Sequence, residues 1–169
     1  MQPTQIQPPI STPLRPTVRY AGFWRRFVAY MIDNVIVGIV ALLLFIPALA
    51  ILGVGIGAGM MEESGSGIGI LLAFIAAYMA AILLFVVLHW LYYALMESSN
   101  KQATLGKLAL GIVVTDLNGQ RISFGRATGR YFGKIVSGMI LSIGYIMAGF
   151  TEKKQALHDI MASCLVVMK

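Results

Sequence analysis

The chain has 169 residues, of which 58% are hydrophobic and 12% are charged, and its formal net charge is +6 at pH 7. This composition is too apolar for a soluble domain of this length and indicates a one-domain membrane protein. The basic residues border apolar segments and form no compact basic module, so a membrane surface accounts for them better than a nucleic acid does. The single cysteine, Cys164, excludes an intramolecular disulfide and a multi-thiolate metal site, and we interpret it as a small buried hydrophobic residue.

Residues 1–20 form the first segment. They hold five of the six prolines among polar residues and show no apolar period, which predicts a disordered tail. The apolar run that follows is too long for the hydrophobic region of a signal peptide, so we expect it to stay in the mature protein. Residues 21–169 are predicted to form the membrane domain.

The first transmembrane helix is predicted at about residues 24–52. Between Phe27 and Leu52 only Asp33 and Asn34 are strongly polar. At a rise of about 1.5 Å per residue, this run exceeds the roughly 30 Å hydrocarbon core of a bilayer. It is therefore long enough to cross a membrane with some tilt.

Arg26, Tyr30 and Asp33 are spaced to share one face of this helix. Arg26 and Asp33 are seven positions apart, and that spacing returns a helix almost to the same face. An unpaired carboxylate within lipid costs about 2.5 to 3.5 kcal/mol. We therefore expect this polar stripe to face protein or water.

A second transmembrane helix is predicted at about residues 68–96, after a glycine-rich flexible loop at 53–67 that carries the solvated Glu62 and Glu63. The helix ends in an aromatic cluster, which is typical of a membrane interface. At this end a second polar stripe recurs every four residues, and it comprises His89, Tyr93 and Glu97. We interpret His89 as a hydrogen-bonding residue, because no second histidine or cysteine stands at metal-ligand spacing.

Residues 97–130 are the most polar part of the domain and are expected in the cytoplasm. Thr104 is a candidate cap for a short amphipathic helix. The Asn118-Gly119 dipeptide predicts a tight turn between two short strands. The β-prone segment Cys164 to Met168 offers another partner for the first of these strands, Ile112 to Thr115.

A third apolar segment, at about residues 131–150, is interrupted by glycines and has a candidate break at Ser142 to Gly144. Hydropathy alone counts it as a span. The tail at 151–169 carries Lys153 and Lys154, which favour the cytoplasm and therefore a bent or re-entrant third segment.

The basic residues predict the orientation. Four lie in residues 1–26, none lies in 53–67, six lie between Lys101 and Lys134, and three follow residue 151. The positive-inside rule places the N-terminus and the 97–130 segment in the cytoplasm.

Three motifs, AGFWRRFVAYMID, TLGKLALGIVVTDLNG and KKQALHDIMASCLVV, together with Arg126 and Arg130, resemble the RDD family of bacterial membrane proteins over about residues 20–168. The resemblance implies that Arg26, Asp33 and Asp159 are the arginine and two aspartates for which that family is named. It also implies a multi-pass protein of the bacterial inner membrane. Cation or proton transport has been proposed for some members.

The predicted fold class is an all-α membrane protein. It comprises a transmembrane helical hairpin, a third spanning or re-entrant helical segment, and a small cytoplasmic helix and β-hairpin element. The expected partners are the lipid bilayer and either further copies of the chain or other membrane proteins. Neither nucleic acid nor a cofactor or metal is expected.

Two functions remain open. In the first, Arg26, Asp33 and Asp159 form a charge network that fixes the helices, and the protein is a structural, assembly or regulatory membrane module. In the second, the protein is an antiporter-like transporter of a monovalent cation or proton, working as an oligomer with Asp33 as the carrier. An enzyme is not expected, because the sequence offers no nucleophile with a base and an orienting acid, and the neighbouring His158 and Asp159 would point apart.

Overall fold

A computed structural model describes residues 18–61, 67–139 and 143–169. Residues 1–17 of the predicted tail, the predicted loop around Glu62 and Glu63, and residues 140–142 at the predicted break lie outside the described residues. In chain order the elements are α1 (Phe23–Met61), α2 (Gly67–Ser98), α3 (Leu105–Ala109), β1 (Ile112–Asp116), α4 (Phe124–Met139), α5 (Ile143–Ile146), a 3₁₀ turn (Met147–Gly149), α6 (Leu157–Met161) and β2 (Cys164–Met168).

The long helices α1 and α2 are, among the described residues, the two that are apolar and long enough to cross a membrane as single helices. Their apolar side chains are largely exposed, as expected for surfaces that face lipid. The predicted all-α membrane fold is thus confirmed. Helix α1 continues past Leu52 to Met61, so residues 53–61 are helical where a loop was predicted. In hydrocarbon a helix satisfies every backbone polar group within the segment, which offsets the low helix propensity of the glycines.

Elements α3, β1, α6 and β2 form a compact unit that we call the sheet subdomain. Strands β1 and β2 are antiparallel, with Ile112 opposite Met168 and Asp116 opposite Cys164. The predicted pairing of the first strand with the C-terminal segment is confirmed. Cys164 is buried in the core of this unit, as predicted.

The predicted β-hairpin is wrong in its second strand. The tight turn forms, and the Asp116 amide donates to the Gln120 carbonyl oxygen at 2.8 Å. Residues 120–123, however, form no strand. The Ser123 carbonyl accepts the Ala127 amide at 3.0 Å, so the chain is already entering α4, and Ile122 is buried in the core instead.

Helix α4 and the segment Ile143–Gly149, which comprises α5 and the 3₁₀ turn, form a pair that is bent by 116°. Helix α4 begins at Phe124, before the predicted start of the third segment at Tyr131. The pair follows β1 in the chain and precedes β2, and the two strands are hydrogen-bonded to each other. The predicted third segment is therefore bent, and both of its ends connect to the same small sheet.

The start of α1 is attached to the same sheet. Tyr20 forms a β-bridge with Val167, and the Ala21 amide donates to the Val166 carbonyl oxygen at 2.8 Å. The C-terminal strand consequently lies at the same end of the helical hairpin as the beginning of α1 and the end of α2. The polar side chains described next are gathered at this junction.

Candidate functional site

Asp33 is buried, with 1% of its surface exposed, on the side of α1 that faces the sheet subdomain. Its carboxylate accepts hydrogen bonds from the Thr104 hydroxyl at 2.6 Å, the Gly106 amide at 2.7 Å and the Tyr92 hydroxyl at 2.9 Å. These donors come from the start of α3 and from α2. One carboxylate therefore joins three helices, and charge-assisted hydrogen bonds of this kind are stronger than neutral ones.

The chain can approach Asp33 this closely because residue 106 is a glycine. A Cβ atom at this position would lie 2.2 Å from the Ala29 carbonyl oxygen and 2.9 Å from the Asp33 Cγ atom. Neither contact is sterically allowed without a shift of the backbone. At the start of α3, Thr104 thus provides a hydroxyl and Gly106 provides an amide that no side chain obstructs.

Thr104 is the N-cap residue of α3, so the predicted position of the cap is confirmed. Thr104 has the extended backbone of an N-cap, but its side chain makes no capping hydrogen bond to α3. Its hydroxyl instead donates to Asp33, and Asp33 accepts the Gly106 amide. The Asp33 carboxylate, which belongs to α1, therefore caps α3 in place of the Thr104 side chain. A carboxylate is a strong acceptor for an amide at a helix start.

Asp159 forms a second centre at the start of α6 and is fully buried. Its carboxylate pairs with the Arg26 guanidinium, and it accepts Arg130 Nε and Nη2 at 2.7 Å each. It also accepts the Ala156 amide at 3.1 Å, which caps α6. Two arginines from α1 and α4 therefore converge on one acid of the sheet subdomain.

Arg26 makes two further contacts that fix its position. Its Nε atom donates to the Ala21 carbonyl oxygen at 2.9 Å, and its Nη2 atom donates to the Lys154 carbonyl oxygen at 2.5 Å. The adjacent Arg25 is exposed and contacts the Met168 sulfur. Arg26 is therefore the arginine of this pair that enters the polar interior.

Glu97, at the end of α2, forms the third centre. It pairs with Arg130 Nη1 at 2.6 Å, Lys107 Nζ at 2.5 Å and Lys134 Nζ at 3.5 Å. Arg130 thus bridges the two buried carboxylates Glu97 and Asp159. We call the connected set the charge network, and its members are Arg26, Glu97, Lys107, Arg130, Lys134 and Asp159.

The predicted site residues separate into two groups. Arg26 and Asp159 meet in one ion pair, whereas within the described residues Asp33 makes no ion pair and is held by hydrogen bonds. Glu97, Lys107 and Arg130 were not predicted as site residues. Glu97 belongs to the polar stripe at the end of α2, and Arg130 and Lys134 share a face of α4. The spacing of polar residues along α2 and along α4 is the sequence signal that could have identified these site residues.

Burial changes the protonation of the polar groups in the sheet subdomain. It lowers the pKa of Lys107 to about 7, an effect to which Arg130 adds and which Glu97 opposes. It lowers the pKa of His158 to about 3, although Asp159 favours the charged form. Burial disfavours the Asp159 carboxylate, but Arg130 and Arg26 outweigh it and hold the pKa below its usual range. Asp159 is therefore charged and His158 is neutral at pH 7.

A cavity of about 450 Å³ lies beside both groups of polar residues. Asp33, Tyr93 and the cations Arg26, Lys107, Arg130 and Lys134 are among the residues that line it, together with Phe23, Phe27, Tyr30 and Ile146. In the described part of the chain, no three histidine, cysteine, aspartate or glutamate side chains are grouped as a metal site. The lining instead combines cations with aromatic and aliphatic groups.

Comparisons with known proteins agree with this architecture. The RDD family model matches residues 20–163. The Bacillus subtilis (strain 168) protein YxaI is 41% identical over 153 residues, which cover 88% of this chain and 97% of YxaI. The membrane protein YteJ of the same strain is 31% identical over 157 residues, covering 89% of this chain and 82% of YteJ. No solved structure matches the chain. The resemblance drawn from the sequence motifs is confirmed, and the chain belongs to the RDD family.

Proposed function

We propose that this membrane protein is a non-enzymatic structural, assembly or regulatory module of the bacterial inner membrane. In this proposal, its N-terminus and sheet subdomain are in the cytoplasm. The main observation behind this proposal is that Asp33, which lies within a membrane helix, accepts hydrogen bonds from α2 and from the start of α3. A buried acid satisfied in this way fixes the position of the sheet subdomain against the membrane helices.

The charge network supports the same role. Arg130 bridges Glu97 of α2 to Asp159 of α6, and Arg26 adds α1 to the set. Removing one member of a buried ion pair strands the other and costs about 3 to 5 kcal/mol. Such a network specifies one arrangement of helices, which is the property that a module for assembly or regulation requires.

The distribution of basic residues supports the proposed orientation. The sheet subdomain lies on the side of the membrane where α1 begins and α2 ends. Residues 1–26 and 101–134 together hold ten of the thirteen lysines and arginines. The positive-inside rule favours the cytoplasm for this side. The exposed apolar faces of α1 and α2 would meet lipid, further copies of the chain or other membrane proteins.

A second candidate function, cation or proton exchange with Asp33 as the carrier, has one observation in its favour. Asp33 lines the cavity of about 450 Å³. To take up a cation, however, its carboxylate would have to release the Thr104 hydroxyl and the Gly106 amide. Four basic side chains line the same cavity, and repulsion from those that are charged disfavours a further cation there. The geometry therefore supports the structural role better.

The test compares wild type with Asp33→Asn and the control Glu152→Gln, which neutralises an exposed acid. Thermal unfolding is measured in detergent, and lumenal pH is read in proteoliposomes after Na⁺, K⁺ or Li⁺ gradients are applied. We expect Asp33→Asn to unfold at a lower temperature, Glu152→Gln to match wild type, and no protein to couple cation gradients to pH. Cation-dependent pH change by wild type, lost in an Asp33→Asn protein of unchanged stability, would falsify the proposal in favour of transport.

A further inference from the structure

The Tyr93 hydroxyl is the buried side-chain polar atom that has no hydrogen-bond partner in the described part of the chain. Tyr93 is 3% exposed and lines the cavity between α1, α2 and α4. Leaving a buried hydroxyl unpaired costs about 1 to 3 kcal/mol. An acceptor bound in the cavity would remove this penalty.

The charges around the cavity are not balanced. The charge network holds four basic side chains against two carboxylates, and Asp33 in the cavity wall is a third carboxylate, so the basic groups exceed the acidic groups by one. Lys107 and Lys134 share one oxygen of Glu97, and the Lys134 ammonium lies 4.1 Å from the centre of the Tyr93 ring. Each ammonium has three donors. Both therefore have donor capacity left in the cavity that Tyr93 also lines, and an excess of basic groups there favours an anion.

One part of the cavity wall is aromatic and aliphatic and reaches the surface of the membrane helices. Phe27 and Tyr30 of α1 and Ile146 of α5 line it, and all three are exposed at their outer sides. A volume of about 450 Å³ lies within the range of small-molecule sites. The cavity therefore offers cations and a hydroxyl inside, and aromatic and aliphatic groups at its opening.

We propose that this cavity binds a phosphate group, with the Lys107 and Lys134 ammonium groups and the Tyr93 hydroxyl as its donors. The apolar opening fits the phosphate of an anionic phospholipid whose acyl chains lie along Phe27 and Ile146. Inorganic phosphate presents the same oxygen acceptors without those chains. The proposal does not depend on whether the protein is a structural module or a transporter.

The test measures binding to the full-length protein in detergent by native mass spectrometry and by the shift of its unfolding temperature. Three ligands are titrated separately: phosphatidylglycerol, phosphatidylcholine and inorganic phosphate. We expect phosphatidylglycerol to bind and stabilise the protein, and phosphatidylcholine to bind at least about tenfold more weakly because its choline cation meets the lysines. Inorganic phosphate that binds as tightly as phosphatidylglycerol would also support the site and would identify free phosphate as the ligand.

Tyr93→Phe is the decisive variant, and Tyr78→Phe at an exposed position of α2 is its control. Because Tyr93→Phe removes a hydroxyl that has no partner, we expect the unliganded protein to keep its stability. Its affinity for the phosphate ligand should fall about tenfold, since a hydrogen bond to a charged group is lost. Lys134→Gln should weaken binding in the same direction. The proposal is overturned if neither phosphatidylglycerol nor phosphate binds, if phosphatidylcholine binds equally well, or if Tyr93→Phe binds as wild type does.

Discussion

The Gly106 amide donates a hydrogen bond of 2.7 Å to the Asp33 carboxylate, and a Cβ atom on residue 106 would lie 2.2 Å from the Ala29 carbonyl oxygen. The two residues therefore depend on each other. The acid within α1 has its backbone donor only because residue 106 has no side chain, and the Gly106 amide at the start of α3 has its acceptor because the acid is there.

Gly106→Ala tests this close approach. The added methyl group would force the backbone of α3 away from α1, and we expect the free energy of unfolding to fall by about 1 to 3 kcal/mol. Gly129→Ala is the matched control, because a Cβ atom at this helical position meets nothing within 4 Å. It should be neutral or stabilising by roughly 0.5 to 1 kcal/mol. Equal effects of the two substitutions on chemical unfolding in detergent would contradict the packing described for Gly106.

Thr104 tests the contribution of one donor to Asp33. Thr104→Val keeps the shape of the side chain but removes the hydroxyl that donates at 2.6 Å. Because hydrogen bonds to charged groups contribute about 1.5 to 3 kcal/mol, we expect a loss of that size in the free energy of unfolding. Thr104→Ser retains the hydroxyl and should recover most of the loss. If valine and serine proved equivalent, the hydroxyl would have no such role.

Arg26 and Arg25 are adjacent, and only Arg26 pairs with Asp159. In Arg26→Gln the Asp159 carboxylate keeps Arg130, so we expect a loss near the lower end of the range for broken buried pairs, about 3 kcal/mol. Arg25→Gln removes the same charge from an exposed side chain and should change stability by less than about 0.5 kcal/mol. Thermal unfolding of the two variants side by side measures this difference. If Arg25→Gln destabilised the protein more than Arg26→Gln does, the assignment of Arg26 as the partner of Asp159 would be wrong.

The lowered pKa of His158 predicts that the stability of the protein depends on pH. Its pKa is lowered from 6.5 to about 3 in the folded protein, so between these values the unfolded chain binds a proton that the folded chain does not. Stability is therefore complete above the unfolded pKa and falls as the pH drops below 6.5. By about pH 5 the loss should reach about 2 kcal/mol.

His158→Gln removes this titration. We expect the variant to lose less stability than wild type between about pH 7.5 and about pH 5, as measured by chemical unfolding at both pH values. Asp159 adds an acid-dependent loss of its own, but that loss begins at lower pH because its pKa is below the usual range. Parallel pH profiles for wild type and His158→Gln would show that His158 is not kept neutral by the fold.

The membrane helices were predictable because hydropathy and length are local properties of the sequence. The same holds for the turn at Asn118 and Gly119. The partner of strand β1 was ambiguous, because a turn signal does not report which segment completes the sheet. The backbone after the turn enters α4 at Ser123, and the C-terminal strand takes the pairing position.

The charge network was less predictable because its members are far apart in the chain. Arg26 and Asp159 were identified through family resemblance, and the spacing along α1 predicted only that Arg26 and Asp33 share a face that meets protein or water. In the structure Arg26 turns toward α6 and Asp33 toward α3. Arg130 bridges two acids that no local pattern connects.

Hydrogen–deuterium exchange in lipid nanodiscs tests the central claim most directly, namely that Asp33 holds the start of α3 against the membrane helices. The measurement compares peptides covering residues 100–116 in wild type, Asp33→Asn and the control Glu152→Gln. The Gly106 amide donates to Asp33, and the Leu105 amide donates at 3.1 Å to the Tyr92 hydroxyl that Asp33 holds. We predict at least about tenfold faster exchange of the Leu105 and Gly106 amides in Asp33→Asn, with the transmembrane helices unchanged and the control like wild type. Unchanged exchange at these amides in Asp33→Asn would contradict the account.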